Sequence, residues 1–329
     1  MKWIKGFHIL KAFKIALAAV LSILTANLLG LDYAITAGII TVLSIKNTKR
    51  ETLQTARDRG LAFLCALILS YLCFRWLDFS VIAFILYLFL FAFLCLSAGW
   101  GQAIAMDSVL ISHFLTEQRF DSAMVVNELL VFAVGTLYGI LINLHLRKKE
   151  VEFDRLSKLV DDEIKGIIHR MAENIRQEDK TNYHSDCFVR LEDKIHLAKE
   201  CALRNWNNTL WSQSAYELDY IRMRENQSRV LKNIYDSIVR ITMLPAQTMQ
   251  VAAFFEEIEA QYHRDNNVEE LLRLLEKMFS DMKRETLPQS REEFEARALL
   301  FYTLMQLEEF LTLKNKFVLS YCSLHSSNR

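Results

Sequence analysis

From residue 81 to residue 116 the chain runs for 36 residues with one charged side chain, Asp107. So apolar a stretch has no place on the surface of a soluble domain. Split in two, it makes helices of about 27 Å, close to the hydrocarbon thickness of about 30 Å. The Ser-Ala-Gly-Trp-Gly segment at 97–101 is where such a run would turn as a hairpin. Further apolar segments lie at 15–31, 33–45, 60–77 and 125–146. The pattern predicts an all-α, polytopic membrane protein with six transmembrane helices. The segment 33–45 is the short one, since 13 residues give only about 20 Å of helix.

The two halves of the chain obey different physics. Residues 1–150 carry 14 Lys/Arg and 9 Asp/Glu, while 151–329 carry 25 and 30. Eight of the nine glycines fall in the first half, where close helix approach in a membrane favours them, and both prolines fall in the second. We therefore expect a transmembrane domain over 1–149 and a cytoplasmic helical domain over 150–329. A formal net charge of zero gives no basis for expecting a nucleic-acid partner. The six cysteines have no paired or metal-ligand spacing, so neither a disulfide framework nor a metal site is expected. The Met1-Lys-Trp-Ile-Lys5 start has the charge of a signal peptide, but no small-residue cleavage site followed by polar sequence, and it reads as a retained first span.

Basic residues set the expected orientation. With six spans, Lys2, Lys5, Lys11, Lys14, Lys46, Lys49, Arg50, Arg57, Arg59, Arg147, Lys148 and Lys149 fall on one side, and only Arg75 and Arg119 on the other. That bias places both termini in the cytoplasm. The stretch 46–59 suits a short helix along the inner leaflet, a plain topogenic loop, or a collector of anions through Lys46, Lys49, Arg50, Arg57 and Arg59.

Polar groups inside the apolar half are candidates for transport chemistry. Asp107 is costly unless it meets a partner, water or a proton route, and a helix–helix hydrogen bond is the structural alternative. Gln102 shares its face loosely, and His113 follows six residues on, as a pathway residue or an interfacial histidine. Gly135, Gly139 and Asn143 form a ridge at four-residue spacing that fits helix packing or, if it faces a cavity, a substrate.

Beyond residue 150 apolar residues recur every three or four positions, predicting helices at 147–176, 185–206, 212–243, 245–263, 268–283 and 291–319. Asn267 and Ser290 look like helix caps, and Pro245 sits at a helix start. Phe254, Phe255 and Tyr262 read as core, Glu192 and His196 as a surface couple, and the Arg-rich segment 220–231 as a solvated or interhelical face or an anion site. No phosphate-binding loop, nucleophile elbow or metalloprotease signature occurs, so neither an enzyme nor a cofactor is expected.

Several stretches resemble the aromatic acid exporter family, a group similar to the fusaric acid resistance-type transporters. They are Lys11-Ala-Phe-Lys14-Ile-Ala, Lys46-Asn-Thr-Lys-Arg-Glu-Thr, Ser112-His-Phe-Leu115, and the series Asn127-Glu128, Gly135, Gly139, Asn143. Residues 160–325 resemble the helical C-terminal domain of the six-span form. The resemblance implies efflux of aromatic carboxylic acids, hydroxybenzoate-like compounds among them, across the bacterial cytoplasmic membrane. Many relatives carry two six-span halves, so a single half implies a homodimer. The expected partners are then the lipid bilayer, a small aromatic anion and a second copy of the chain. The alternative is a non-transporting membrane sensor or scaffold that recruits a cytoplasmic partner.

Overall fold

The computed structural model describes every residue except 1, 145–149, 182–183, 210–214, 264–267 and 327–329, and leaves the side chains of 2–8, 10–11 and 322–326 undescribed. Among the described residues there are twelve α-helices and no strand. The chain divides into two units, residues 1–148 with 207–212, and residues 149–206 with 213–329.

The first unit contains α1 (Lys2–Leu28), α2 (Ala34–Ser44), α3 (Lys49–Leu77), α4 (Val81–Ala98), α5 (Ile104–Glu117) and α6 (Ser122–Leu144). Local chemistry fixes the helix ends. The Thr48 hydroxyl accepts from the Glu51 amide at α3, the Ser80 hydroxyl from Ala83 at α4, and the Asp121 carboxylate from Met124 at α6. Gly99 closes α4 in the left-handed conformation at φ 75°, with Trp100 N–H reaching the Cys95 carbonyl at 2.7 Å. This is a Schellman ending, which needs a residue without Cβ strain at that position. A 3₁₀ turn at Gly101–Ala103 then leads into α5.

Three of these helices, α3, α4 and α6, are long and apolar enough to cross a membrane. Along α4, Ile82, Ile85, Phe89, Phe93 and Leu96 stay exposed while Ala83, Tyr87, Phe91 and Cys95 are buried. A helix apolar on both faces belongs in lipid. The short α2 has 11 residues, about 16 Å of helix, and packs between α1 and α6. The α2–α6 approach is close: a Cβ built on Gly135 would lie 2.6 Å from both the Ala37 carbonyl and Ile40 Cβ, and one on Gly139 2.5 Å from Ser44 Cβ.

One expectation is overturned here. The basic stretch 46–59 is no separate helix along the leaflet, because α3 begins at Lys49 and continues unbroken to Leu77. Gly60 does not interrupt it, and nothing else between Thr48 and Leu77 breaks a helix.

The second unit contains α7 (Glu150–Ile175), α8 (Asp186–Asn207), α9 (Tyr216–Val239), α10 (Gln247–Ala260), α11 (Glu269–Met282) and α12 (Arg291–Ser326). Their apolar stripes meet in one core that includes Phe153, Ile167, Phe188, Leu231, Phe254, Phe255 and Leu307. The Ser290 hydroxyl caps α12 by accepting from the Glu293 amide at 3.1 Å. The expected cap at Asn267, the basic residues Arg147, Lys148 and Lys149, and the junction of α6 with α7 lie outside the described residues.

The Arg-rich segment of α9 is mixed. Arg222 and Arg229 are exposed, but Arg224 is fully buried. It pairs with Asp161 at 2.9 Å, donates to Gln227 Oε1 at 2.6 Å, and lies over the rings of Tyr220 and Tyr262. Such a saturated cation is an interhelical tie between α9 and α7. His196 pairs with Glu200, not Glu192, on the exposed side of α8.

Candidate functional site

The basic start of α3 and the α4–α5 turn enclose a cleft of about 200 Å³ in the first unit. Its walls include Gln54, Thr55, Trp100 and Gln102, with Glu51 and Asp58 at the rim and Arg59 in the lining. Arg59 is buried because it lies nearly three turns inside α3, on the side facing α5. It makes no hydrogen bond to oxygen among the described residues, and its one close acceptor is the Met106 sulfur at 3.7 Å. Asp107, one residue further along α5, is completely buried, and neither carboxylate oxygen has a hydrogen-bond partner. Arg59 and Asp107 interact electrostatically, yet no guanidinium nitrogen comes within 4.0 Å of a carboxylate oxygen. Arg59 and Asp107 are thus both buried and joined by no ion pair.

Lys46 joins two other polar residues to this end of the unit. Its ammonium donates to Gln102 Oε1 at 2.6 Å, and its carbonyl accepts from Asn143 Nδ2 at 2.9 Å. Asn143 also donates to Thr52 Oγ1 at 2.5 Å, so it fastens the α2–α3 loop to the end of α6. Arg57 turns outward and clamps Asp58 at 3.0 and 2.8 Å. Lys49 is half-buried and Arg50 exposed at the first turn of α3, and neither lines the cleft.

His113 belongs elsewhere. Six residues of helix carry it about 9 Å along α5 from Asp107 and turn it to another face. There His113 Nδ1 and Glu128 Oε2 lie 3.0 Å apart, both side chains buried. The Tyr33 ring stacks on the imidazole at 3.9 Å and donates its hydroxyl to Glu117 at 2.8 Å. Asn127 ties the backbone of Asp32 into the same cluster, accepting at 2.8 Å and donating at 3.2 Å. Two polar clusters thus sit at opposite ends of α2, α5 and α6: Arg59–Asp107–Gln102 at one, His113–Glu128–Tyr33 at the other. Sequence reasoning singled out His113 but not its partner. The available signal was Glu128 itself, a carboxylate inside an apolar segment.

Residues 7–146 match the family model for aromatic acid exporter family member 1, and residues 150–315 match that for the aromatic acid exporter C-terminal domain. The chain belongs to the aromatic acid exporter family. It is 26% identical over 307 residues to the uncharacterized protein YqjA of Bacillus subtilis (strain 168), covering 93% of this chain and 95% of the relative. A crystallised membrane protein from Clostridium difficile 630 is similar at 27% identity, covering 50% of this chain and 97% of its own, with a TM-score of 0.45. Exporter family membership, together with the long apolar helices, makes this a multi-pass membrane protein.

Proposed function

We propose that the protein exports small aromatic carboxylic acids, or organic anions like them, from the bacterial cytoplasm. All six helices of the first unit cross the cytoplasmic membrane in this reading, both termini are cytoplasmic, and two copies assemble as a homodimer. The observation that carries it is the Arg59–Asp107 pair beside the cleft. A buried guanidinium without an oxygen partner is costly, and a carboxylate is the anion whose two oxygens match its donor fork. Trp100 in the cleft wall offers an aromatic face for the ring of the cargo. The cleft is smaller than the roughly 300 Å³ at which drug-sized sites begin, which limits cargo to about one ring.

In this mechanism Lys46, Lys49, Arg50 and Arg57 draw the anion toward the start of α3, and Arg59 receives its carboxylate. Asp107 resets the site after release. Gln102 holds Lys46 at the mouth, and Gly135 and Gly139 let α2 pack against α6 around the path. His113 with Glu128 closes the far end.

Cells expressing the protein should export labelled benzoate or 4-hydroxybenzoate faster than cells without it. Asp107→Asn should abolish export while the protein stays folded in the membrane. Export at the wild-type rate by Asp107→Asn would remove Asp107 from the mechanism. No export of any aromatic acid by folded wild-type protein would favour the sensor or scaffold reading.

A further inference from the structure

We infer that the Asp107 carboxylate competes with the bound anion for the Arg59 guanidinium, so that Asp107 expels cargo instead of helping to hold it. The inference rests on the exporter reading of the same site. A fully paired arginine, such as Arg224 with Asp161, Gln227 and two tyrosine rings, has nothing left to offer a ligand. An arginine with no carboxylate nearby would bind an anion and keep it. Arg59 is neither. It shares the field of Asp107 but is not bonded to it, and both Asp107 oxygens are without hydrogen bonds.

Apart from Glu51, which is exposed at the rim, the surroundings make the competition one against one. Arg59 is the one cation acting on Asp107 among the described residues. The Tyr87 phenol and the Cys95 thiol also feel the charge of Asp107, and both are neutral in their ordinary forms. At the rim, Asp58 is already held by Arg57, and Lys46 by Gln102. One guanidinium facing two carboxylates leaves an uncompensated negative charge in a buried site, which like-charge repulsion and desolvation both oppose. Cargo bound at Arg59 therefore meets the field of the Asp107 carboxylate, and that field drives cargo off.

The test is equilibrium binding of radiolabelled benzoate to the full-length protein in lipid nanodiscs. Asp107→Asn removes the competitor with little change of shape, and Asp107→Ala is the second variant should the first fail to fold. Either should bind benzoate at least about tenfold more tightly than wild type, although the same substitutions stop export. Arg59→Gln should bind at least about tenfold more weakly, and Arg59→Gln with Asp107→Asn should be as weak as Arg59→Gln alone. Unchanged or weaker binding by the folded Asp107 variants, with wild type binding normally, would overturn the competition and leave the exporter reading standing. Absence of binding of benzoate and of a panel of other aromatic carboxylates, in wild type and Asp107→Asn alike, would overturn both.

Discussion

Single residues decide how closely the helices approach. Gly135 has no room for a methyl group beside the Ala37 carbonyl and Ile40, whereas a Cβ on Gly166 in α7 would meet nothing within 4 Å. Gly135→Ala should therefore destabilise the protein by about 1–3 kcal/mol through overpacking. Gly166→Ala should stabilise it by about 0.4–1 kcal/mol, because alanine loses less chain entropy in a helix. Opposite shifts in melting temperature for the two variants in detergent would check both. Arg224→Met should cost about 3–5 kcal/mol by leaving Asp161 without its charge partner and with only the Tyr220 hydroxyl, and adding Asp161→Leu should recover part of that loss. The double variant melting no higher than the single one would contradict this account of the pair. At this scale the sequence identifies polar residues but not their partners. Asp107 is conspicuous in an apolar run, yet Arg59 lies 48 positions earlier inside a charged stretch, and only the packing of α3 on α5 brings them together.

Helices in the second unit are joined by ties of graded strength. His169 on α7 is held by Glu259 on α10 at 2.8 Å, and the hydrogen bond to that carboxylate, with its charge, raises the histidine above its ordinary value. A group whose affinity for the proton rises on folding stabilises the folded state while it is protonated. The contribution is thus complete below about pH 6.5 and disappears as pH climbs through the raised folded value. Because the side chain is more than half exposed, the tie is worth at most about 1 kcal/mol. The melting temperature of wild type should exceed that of His169→Gln at about pH 5.5 and converge with it at about pH 9. A gap that widens with pH would reverse the assignment. Helix extents were largely readable from periodicity and caps: α4 starts after Ser80 and stops at Gly99, and α12 starts after Ser290. The starts of α1 and α3 were not, because the charged residues between Lys2 and Lys14 and between Lys49 and Gly60 set those stretches apart until their continuity with the apolar part is seen.

Across the whole molecule, composition already separates the two units, since burial in lipid and burial in a soluble core demand different residues. The 3.6-residue stripe of α7 to α12 encodes a core, while the all-round apolarity of α4 encodes a lipid-facing helix. What one dimension cannot encode is the cleft, because it forms from the turn after α4, the 3₁₀ turn that follows and the first three turns of α3 together. The central claim is that this cleft carries aromatic anions across the membrane by way of Arg59. It is tested most directly with purified protein in liposomes, by following uptake of radiolabelled benzoate down an imposed gradient. The account predicts saturable uptake by wild type and at least about a tenfold loss in Arg59→Gln, the cost of one charge-assisted pair. Uptake by wild type no faster than in protein-free liposomes would contradict it.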